Sequence, residues 1–211
     1  MDVPEELEIN IKHPHTGLVY SALPVVSTYL SNSFISRFVQ MVNEADILQL
    51  LEDEGVALQG KYRERDARNF LNHSIQEWER GNSRVFLIAR GGTPAGCFAF
   101  KSCNDDAEIG YWIGGKHRGL GTGMLAAMLE VAPGLGYSQL QALTREDNIA
   151  SRKILARNGF MEVDRFQRSG KNFRRHRWLD TSAPSKTEQD KGKFGGLSKI
   201  RELSRHLQRI R

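Results

Sequence analysis

Cysteine is scarce in this sequence, and its scarcity excludes two kinds of stabilising centre. The chain of 211 residues contains two cysteines, Cys97 and Cys103. Two cysteines are too few for a disulfide framework, and they lack the paired Cys-x-x-Cys or histidine spacing of a zinc site. The six histidines show no metal-ligand spacing either. We therefore expect no metal and assign both cysteines to the core or to strands.

Long apolar runs are also absent. No stretch approaches the roughly 18 apolar residues that a membrane span requires. The N-terminal sequence MDVPEELEIN is acidic, unlike the start of a signal peptide. The sequence thus supports neither membrane insertion nor secretion, and by default we expect a cytoplasmic protein. Its length suits one domain with extensions, since domains usually have about 100 to 200 residues.

Acidic residues are sparse at the C-terminal end, where positive charge is concentrated. Residues 165–211 hold 14 Lys/Arg and 4 Asp/Glu, a net charge of +10, so the net charge of +5 for the whole chain leaves −5 for residues 1–164. The cluster at 168–180 can bind RNA phosphates while Phe173 and Trp178 stack on bases. In a strand, the same aromatic residues would pack while the arginines stay solvated, and we favour this interpretation. The terminal helix could dock on its own domain, on a second subunit, on RNA or on an anionic membrane surface.

Hydrophobic periodicity divides the chain into strands and helices. It predicts a first strand at 33–41 (SFISRFVQM), helices in EADILQLLEDEG and ERDARNFLNHSIQEWERG, and a hairpin in SRVFLIARGGTPAGCFAFKS with a loop of about four or five residues. The order continues with the strand AEIGYWIG, the helix GTGMLAAMLEVA, the strand SQLQALTR, the helix NIASRKILARNGF, and a last hairpin of FMEVDRFQRSG and NFRRHRWLD. This order predicts a mixed α+β fold.

Three parts follow from this division. Residues 1–31 lack a clear period and are interpreted as an N-terminal extension that could cover one sheet edge. Residues 32–180 form the main domain, and residues 181–211 form a basic linker followed by a short amphipathic helix. The apolar residues of that helix recur every three or four positions, at Leu197, Ile200, Leu203, Leu207 and Ile210.

A glycine-rich stretch, HRGLGTG at 117–123, separates the predicted strand AEIGYWIG from the predicted helix GTGMLAAMLEVA. A helix N-terminus carries unpaired backbone N–H groups and the positive end of the helix dipole, so this order of elements can bind a phosphate group. The turn could also do no more than join the two elements. A Walker A loop is excluded, because Met124 and Leu125 follow the last glycine instead of Lys and Ser/Thr.

A dinucleotide-binding fingerprint is harder to exclude. Gly121, Gly123 and Ala126 satisfy G-x-G-x-x-A, and Glu146 and Asp147 follow about 20 to 25 residues later. That fold, however, places its fingerprint in an initial β-α-β unit, whereas this stretch lies in the middle of the chain and after a hairpin. A nicotinamide oxidoreductase is therefore our third interpretation.

Two motifs carry a resemblance to a known family. Arg118-Gly119-Leu120-Gly121-Thr122-Gly123 matches the [Q/R]-x-x-G-x-[G/A] pattern that wraps the pyrophosphate of acetyl-coenzyme A (acetyl-CoA) in GCN5-related N-acetyltransferases (GNATs). DNIASRKILARNGF, at 147–160, resembles the family's N-x-x-[A/S]-x-x-[I/L]-…-GF segment. The similarity covers about residues 33–180 and is strongest to the ribosomal-protein and amino-terminal (Rim-type) branch. It implies a mostly antiparallel twisted sheet of about six or seven strands flanked by about four helices, with a β-α-β-like core that binds acetyl-CoA.

The resemblance also implies roles for residues of the strand before the glycine turn. Acyl transfer from a thioester to an amine needs a neutral amine, a stabilised oxyanion and a proton for the leaving thiolate. Glu108 resembles the acid that some relatives use as a base, although it could equally be a half-exposed strand carboxylate. A backbone N–H of Trp112, Ile113 or Gly114 would stabilise the oxyanion, and Ile113 is counted among the coenzyme-binding residues.

The general acid is less well defined. Many family members place a tyrosine seven residues after the motif asparagine, and counting from Asn148 that position is Leu155. Ser151 is the replacement that the similar branch suggests, unless water protonates the thiolate or the serine is structural. Asn148 would bind the pantetheine arm, cap the following helix, or do both. We expect Tyr111 in the core or in the wall of the acceptor pocket.

We therefore predict an N-acetyltransferase that transfers the acetyl group of acetyl-CoA to a primary amine. The alternative is a catalytically inactive domain of the same fold that binds RNA or a ribosome through its basic end. The loop at about 55–66 and the last hairpin would shape the acceptor site. A protein N-terminus, a lysine, an aminoglycoside-like antibiotic and aminoacyl-tRNA all remain open as acceptors, a homodimer is compatible with the sequence, and the acidic main body favours a cationic acceptor.

Overall fold

The computed structural model describes residues 7–25, 27–56 and 60–180. The predicted linker and amphipathic helix at 181–211 lie outside these ranges. The α-helices of the described chain are α1 (Asn32–Val42), α2 (Ala45–Asp53), α3 (Glu64–Glu79), α4 (Gly121–Val131) and α5 (Ile149–Arg157). Its strands are β1 (Ile9–Lys12), β2 (Val19–Pro24), β3 (Arg84–Arg90), β4 (Thr93–Phe100), β5 (Glu108–Ile113), β6 (Gln139–Arg145), β7 (Met161–Arg168) and β8 (Lys171–Leu179). None of the described helices is long and apolar enough to cross a membrane.

The strands form one sheet with the order β1-β2-β3-β4-β5-β6-β8-β7. Neighbouring strands are antiparallel except β5 and β6, which are parallel. One hydrophobic cluster joins the sheet to α4 and α5 and contains Phe98, Met124 and Leu155. A second cluster joins the sheet to α1 and α3 and contains Phe38 and Leu71. The sheet is thus the middle layer of a mixed α+β domain, and the predicted fold class is confirmed with eight strands and five helices in the described ranges.

The segment predicted as the first strand, 33–41, is instead the helix α1. Its buried residues recur at helical spacing, at Phe34, Ile35, Phe38, Met41 and Val42. Ser31 starts the helix, because its side-chain oxygen accepts a hydrogen bond from the Phe34 N–H (3.4 Å). The β-branched and aromatic residues that favoured a strand pack equally well along one helix face, so tertiary packing overrides local propensity here.

The N-terminal segment and the first predicted hairpin differ from the sequence-based expectation in detail. β1 and β2 lie in the segment without a clear period, and β2 pairs with β3, so this segment covers one edge of the sheet. The loop between β3 and β4 has two residues, Gly91 and Gly92, rather than four or five. Both have a positive φ (55° and 70°), as a two-residue hairpin turn requires.

The remaining predicted elements are confirmed. The helices α2, α3, α4 and α5, the strands β5 and β6, and the β7–β8 hairpin lie where hydrophobic periodicity places them. A fold built on an initial parallel β-α-β unit does not fit this sheet, in which β5 and β6 are the one parallel pair between described strands. The dinucleotide-binding interpretation of the glycine stretch is therefore excluded.

Candidate active site

A gap opens in the sheet between β5 and β6. The last paired position of these strands joins Ile109 to Ala142. β4 nevertheless stays paired with β5 as far as Ile113, and β8 stays paired with the whole of β6. Residues 110–113 therefore line one side of a wedge-shaped opening, the sheet cleft, which is closed at its narrow end by the Ile109–Ala142 pair.

Hydrogen bonding to β4 decides which N–H groups of β5 face the sheet cleft. Along an antiparallel pair, alternate residues bond to the neighbouring strand. The Gly114 N–H donates to the Ala95 carbonyl (2.9 Å), so Trp112, two residues earlier, also bonds to β4. The N–H groups of Tyr111 and Ile113 consequently face the cleft. Of the three backbone donors proposed from sequence, Ile113 is the one on the cleft side.

The glycine-rich stretch begins α4 at the wide end of the sheet cleft. After β5 the chain makes a 3₁₀ turn (Gly115–His117), and Gly119 adopts a φ of +97° that favours glycine. The helix then starts at Gly121, and the N–H groups of its first turn have no acceptor within the helix. Strand, turn and helix N-terminus therefore occur in the predicted order, with unpaired backbone donors at the point where a phosphate would bind.

Packing explains two of the glycines. A Cβ at Gly121 would lie 2.5 Å from Ile154 Cδ1, and a Cβ at Gly123 would lie 2.5 Å from the Lys12 carbonyl oxygen. Glycine at these positions lets α4 pack closely against α5 and β1. Close packing thus explains glycine at both positions, and phosphate binding would depend on the N–H groups and dipole of α4.

The β1–β2 hairpin holds the glycine turn, a contact that sequence reasoning missed. His13 Nδ1 accepts hydrogen bonds from two backbone N–H groups, so Nε2 carries the proton and donates to the Arg118 carbonyl (3.1 Å). The Tyr20 hydroxyl hydrogen-bonds to His117 Nδ1 (3.1 Å). Burial lowers the pKa of His117, although Glu44 acts in the opposite direction. These partners lie about a hundred positions apart, and no local pattern indicates them.

Two hydroxyl groups meet beside the sheet cleft. The Ser151 hydroxyl lies 2.9 Å from the Tyr111 hydroxyl, within hydrogen-bond distance. The Ser151 N–H donates to Asn148 Oδ1 (3.0 Å), which makes Asn148 the N-cap of α5. Burial raises the pKa of Tyr111 to about 12, so the phenol stays protonated at neutral pH. Leu155, at the position where many family members have a tyrosine, is fully buried. A phenol is nevertheless present beside Ser151, and it belongs to Tyr111 of β5.

Glu108 lies at the narrow end of the sheet cleft in a group of three charges. Its Oε1 accepts a hydrogen bond from Lys101 Nζ (2.6 Å), and Lys101 Nζ also donates to Glu54 Oε2 (2.6 Å). Burial alone would lower the pKa of Lys101, but the hydrogen bonds to Glu108 and Glu54 outweigh it and raise this pKa. Because side chains alternate along a strand, Glu108 and Tyr111 lie on opposite faces of the sheet.

Comparison with known proteins assigns the family. The acetyltransferase (GNAT) domain family matches residues 37–161, more than half of the chain. The chain belongs to the GNAT family. This confirms the resemblance on which the acyltransferase prediction rests.

Individual proteins similar to this GNAT chain include Rim-type acetyltransferases. The chain is 28% identical to the ribosomal-protein-serine acetyltransferase of Escherichia coli over 104 residues, which is 46% of this chain and 58% of that protein. The structure superposes on RimL, a ribosomal L7/L12 α-N-protein acetyltransferase in complex with coenzyme A, with a TM-score of 0.64 and 19% identity over 81% of this chain and 98% of that one. It superposes on Mycobacterium smegmatis RimJ in complex with CoA-disulfide with a TM-score of 0.63 and 16% identity over 84% and 88%. At these identities the superpositions establish the fold.

A cavity of this GNAT chain borders the last hairpin and, at Gly55, the start of the loop that the sequence predicts to shape the acceptor site. Its volume is about 320 Å³, and it lies beside the end of α2 and the tip of the β7–β8 hairpin. The residues that line it are Glu52, Asp53, Glu54, Gly55, Arg168, Ser169, Lys171 and Phe173. Glu54 connects the cavity to Glu108 through Lys101. The cavity therefore shares Glu54 with the group of three charges at the narrow end of the sheet cleft.

The aromatic residues of the basic last hairpin are packed. Phe173 is buried and stacks on Phe166 (5.9 Å between ring centroids), and Trp178 packs against the hydrophobic cluster under α4 and α5. Arg174 forms ion pairs with Glu146 and Glu162 (2.6 and 2.7 Å). The preferred interpretation is correct for the packing of these aromatic residues, but it is wrong in leaving all the arginines solvated, because the Arg174 side chain is 12% exposed. Base stacking by Phe173 and Trp178 has no support in this arrangement.

Proposed function

We propose that this chain transfers the acetyl group of acetyl-CoA to a primary amine, with a protein N-terminus as the acceptor to test first. The observation that carries the proposal is the sheet cleft, which runs from the N-terminus of α4 to Glu108 and passes the Ser151–Tyr111 hydroxyl pair. The relation to ribosomal-protein acetyltransferases supports a protein N-terminus. The acetyl donor, the acceptor and the residue roles below are parts of this proposal.

The donor's phosphates and its pantetheine arm would bind in different places. The N–H groups at the start of α4, within residues 118–123, fit the pyrophosphate because a helix N-terminus favours anions. Arg118 can add charge, since its ion pair with Asp46 (3.1 Å) joins two largely exposed side chains and is weak. The pantetheine arm would lie in the sheet cleft, where the Ile113 N–H and the amide group of Asn148 can donate to it.

The chemistry would use groups on both faces of the sheet. Glu108 takes a proton from the acceptor ammonium, directly or through water, and the free amine attacks the thioester carbon. The C–N bond forms and the C–S bond breaks. The leaving thiolate takes a proton from the Ser151 hydroxyl, and Tyr111 supplies a proton to Ser151 across their hydrogen bond. The second proton of the amine nitrogen leaves to solvent as the amide forms, and solvent returns a proton to Tyr111. An inactive RNA-binding domain would not need this hydroxyl pair beside the cleft.

Thr122→Asp tests the proposal with little risk to the fold. A negative charge in the first turn of α4 interacts favourably with the helix dipole but repels phosphates. With coenzyme A present at 100 times its dissociation constant, the free energy of unfolding of the wild-type protein should rise by about 2.7 kcal/mol, and its Tm should rise. Thr122→Asp should lose that gain, together with coenzyme A release from acetyl-CoA and a peptide.

Ala126→Asp is the matched control, because Ala126 is exposed one turn further along α4. It should keep both the stabilisation by coenzyme A and its release. If coenzyme A does not stabilise the wild type, and no amine leads to its release, the proposed function is wrong.

A further inference from the structure

Lys101 places an amine of the chain itself at the candidate base. Lys101 follows β4, and its backbone N–H donates to the Glu108 carbonyl (2.8 Å). Its side chain is 35% exposed, and Nζ lies 2.6 Å from both Glu108 Oε1 and Glu54 Oε2. A cationic amine between two carboxylates is the arrangement that an acceptor ammonium would need on arrival.

Gly110 gives this side chain its space. A Cβ at Gly110 would lie 2.9 Å from Lys101 Cε and 3.6 Å from Lys101 Nζ. Gly110 has no positive φ, so its backbone conformation does not require glycine. Any larger residue at position 110 would push the end of the lysine away from β5. The absence of a side chain at Gly110 thus lets the Lys101 amine lie over the strand.

Gly110 is also where the sheet cleft ends. It directly follows Ile109, the last residue of β5 that pairs with β6. A thioester arm that enters from the N-terminus of α4 cannot pass this pair, so its reactive carbon comes to rest beside Gly110. Among the described lysines near β5, Lys101 lies over this position, whereas Lys116 belongs to the turn at the opposite, wide end of the cleft.

We propose that Lys101 is itself an acceptor, and that the protein acetylates Lys101 Nζ when no external amine is bound. This inference rests on the proposed acetyl transfer. The Lys101 ammonium gives one proton to Glu108, and its free amine attacks the thioester carbon. The C–N bond forms and the C–S bond breaks, the thiolate takes a proton through Ser151, and the second Nζ proton leaves to solvent. The products are Nζ-acetyl-Lys101 and free coenzyme A.

Acetylation of Lys101 would change the site for other amines. The neutral amide cannot form ion pairs with Glu54 and Glu108, so both carboxylates become available to the ammonium of an external acceptor. The Lys101 ammonium therefore occupies the acceptor position only until it is acetylated. The acetylated protein should show a lower KM for cationic amines than the unmodified protein.

Mass spectrometry of the full chain tests the proposal. The protein is incubated with acetyl-CoA and no added amine, and acetylation is mapped to individual lysines. Lys101 should take up one acetyl group at least about tenfold faster than Lys153, an exposed lysine of α5, because its amine is already positioned. The first-order rate constant for Lys101 should not depend on protein concentration, because the transfer occurs within one molecule. Acetic anhydride, which needs no enzyme, should reverse the order, because Lys101 is ion-paired.

Lys101→Arg is the matched variant, since arginine keeps the positive charge for Glu54 and Glu108 but offers no acceptor amine. The fastest acetylation in this variant should be no faster than that of Lys153. A measurement of Tm verifies that the variant is folded. If external amines are acetylated while Lys101 reacts no faster than Lys153, this inference is wrong and the proposed function stands. Absence of coenzyme A release and of stabilisation by coenzyme A would overturn both.

Discussion

At the scale of single residues, the phenol beside α5 comes from an unexpected place. The GNAT resemblance directs attention to the position of Leu155, which is buried and has no hydroxyl. The structure instead brings Tyr111 of β5 to Ser151 of α5, 40 positions away. A serine alone is a weak acid, and a hydrogen bond from a protonated phenol makes proton transfer to a thiolate easier.

Ser151→Ala should lower kcat about 10- to 100-fold with little change in KM for acetyl-CoA, because water replaces the hydroxyl imperfectly. Tyr111→Phe should lower kcat less, since Ser151 remains. The double variant should be no slower than Ser151→Ala alone, because both residues act in one path. Steady-state kinetics on all three variants checks this. If the two losses of kcat multiply in the double variant, the two hydroxyl groups act independently.

Residues that interact locally could be predicted from sequence, whereas residues that meet across the fold could not. Asn148 caps α5 three positions before Ser151, and its side-chain chemistry and spacing indicate the cap. The contacts of Tyr111 with Ser151, Lys101 with Glu54, and His13 with Arg118 depend on how separate elements pack against one another, and so does the register of the sheet. No periodicity encodes that register, so the sequence predicts the site's motifs but misses these partners.

At the scale of elements, the β1–β2 hairpin supports the start of α4. Its Lys12 carbonyl lies against Gly123, and His13 and Tyr20 contact the turn before the helix. Hydrophobic periodicity finds α2 and α3 because their apolar residues recur at helical spacing over 9 and 16 residues, whereas β1 has four residues and too little length to show a period. The error at α1 has the opposite cause, since residues with high strand propensity fill a helix face.

His13→Ala should raise KM for acetyl-CoA several-fold and leave kcat nearly unchanged, because it loosens the glycine turn without touching the reacting atoms. It should also lower the free energy of unfolding by about 1 to 3 kcal/mol, since buried hydrogen-bond partners are left unpaired. His15→Ala is the control, because His15 is exposed and contacts the ring of His13 at its edge. Equal effects of both substitutions on KM would exclude a specific role of His13.

At the scale of the whole molecule, ion pairs tie α2 to the part of the sheet beyond the cleft. Asp53, at the end of α2, has a side chain that is 6% exposed. It binds Arg145 of β6 (3.0 Å) and Lys171 of β8. Burial alone would raise the pKa of Asp53, but the hydrogen bonds from Lys171 and Arg145 outweigh it and lower this pKa. The helical layer is thereby tied to the half of the sheet beyond the cleft.

Asp53→Asn should change how stability depends on pH. A carboxyl group with a lowered pKa in the folded state stabilises the fold above its unfolded-state pKa of about 3.9, and this contribution is lost as pH falls through the folded-state pKa. The free energy of unfolding should therefore fall less steeply below about pH 4 in Asp53→Asn than in wild type. Denaturant titrations over this pH range measure the difference.

Asp46→Asn is the control for that experiment, because the side chain of Asp46 is 85% exposed in its ion pair with Arg118. Its pH dependence should match that of the wild type. Parallel curves for wild type and Asp53→Asn would show that the ion pairs of Asp53 do not stabilise the contact of α2 with β6 and β8.

The position of β8 has a consequence for protein synthesis. β8 is the last described strand in the chain, yet it lies between β6 and β7. While the chain emerges from the ribosome, β6 has no neighbour on that side until residues up to 179 have left the exit tunnel. β7 cannot reach its place earlier, because it pairs with β8 alone among the described strands. Completion of the sheet is thus a late step, and a nascent chain that stalls before β8 exposes a bare strand to aggregation.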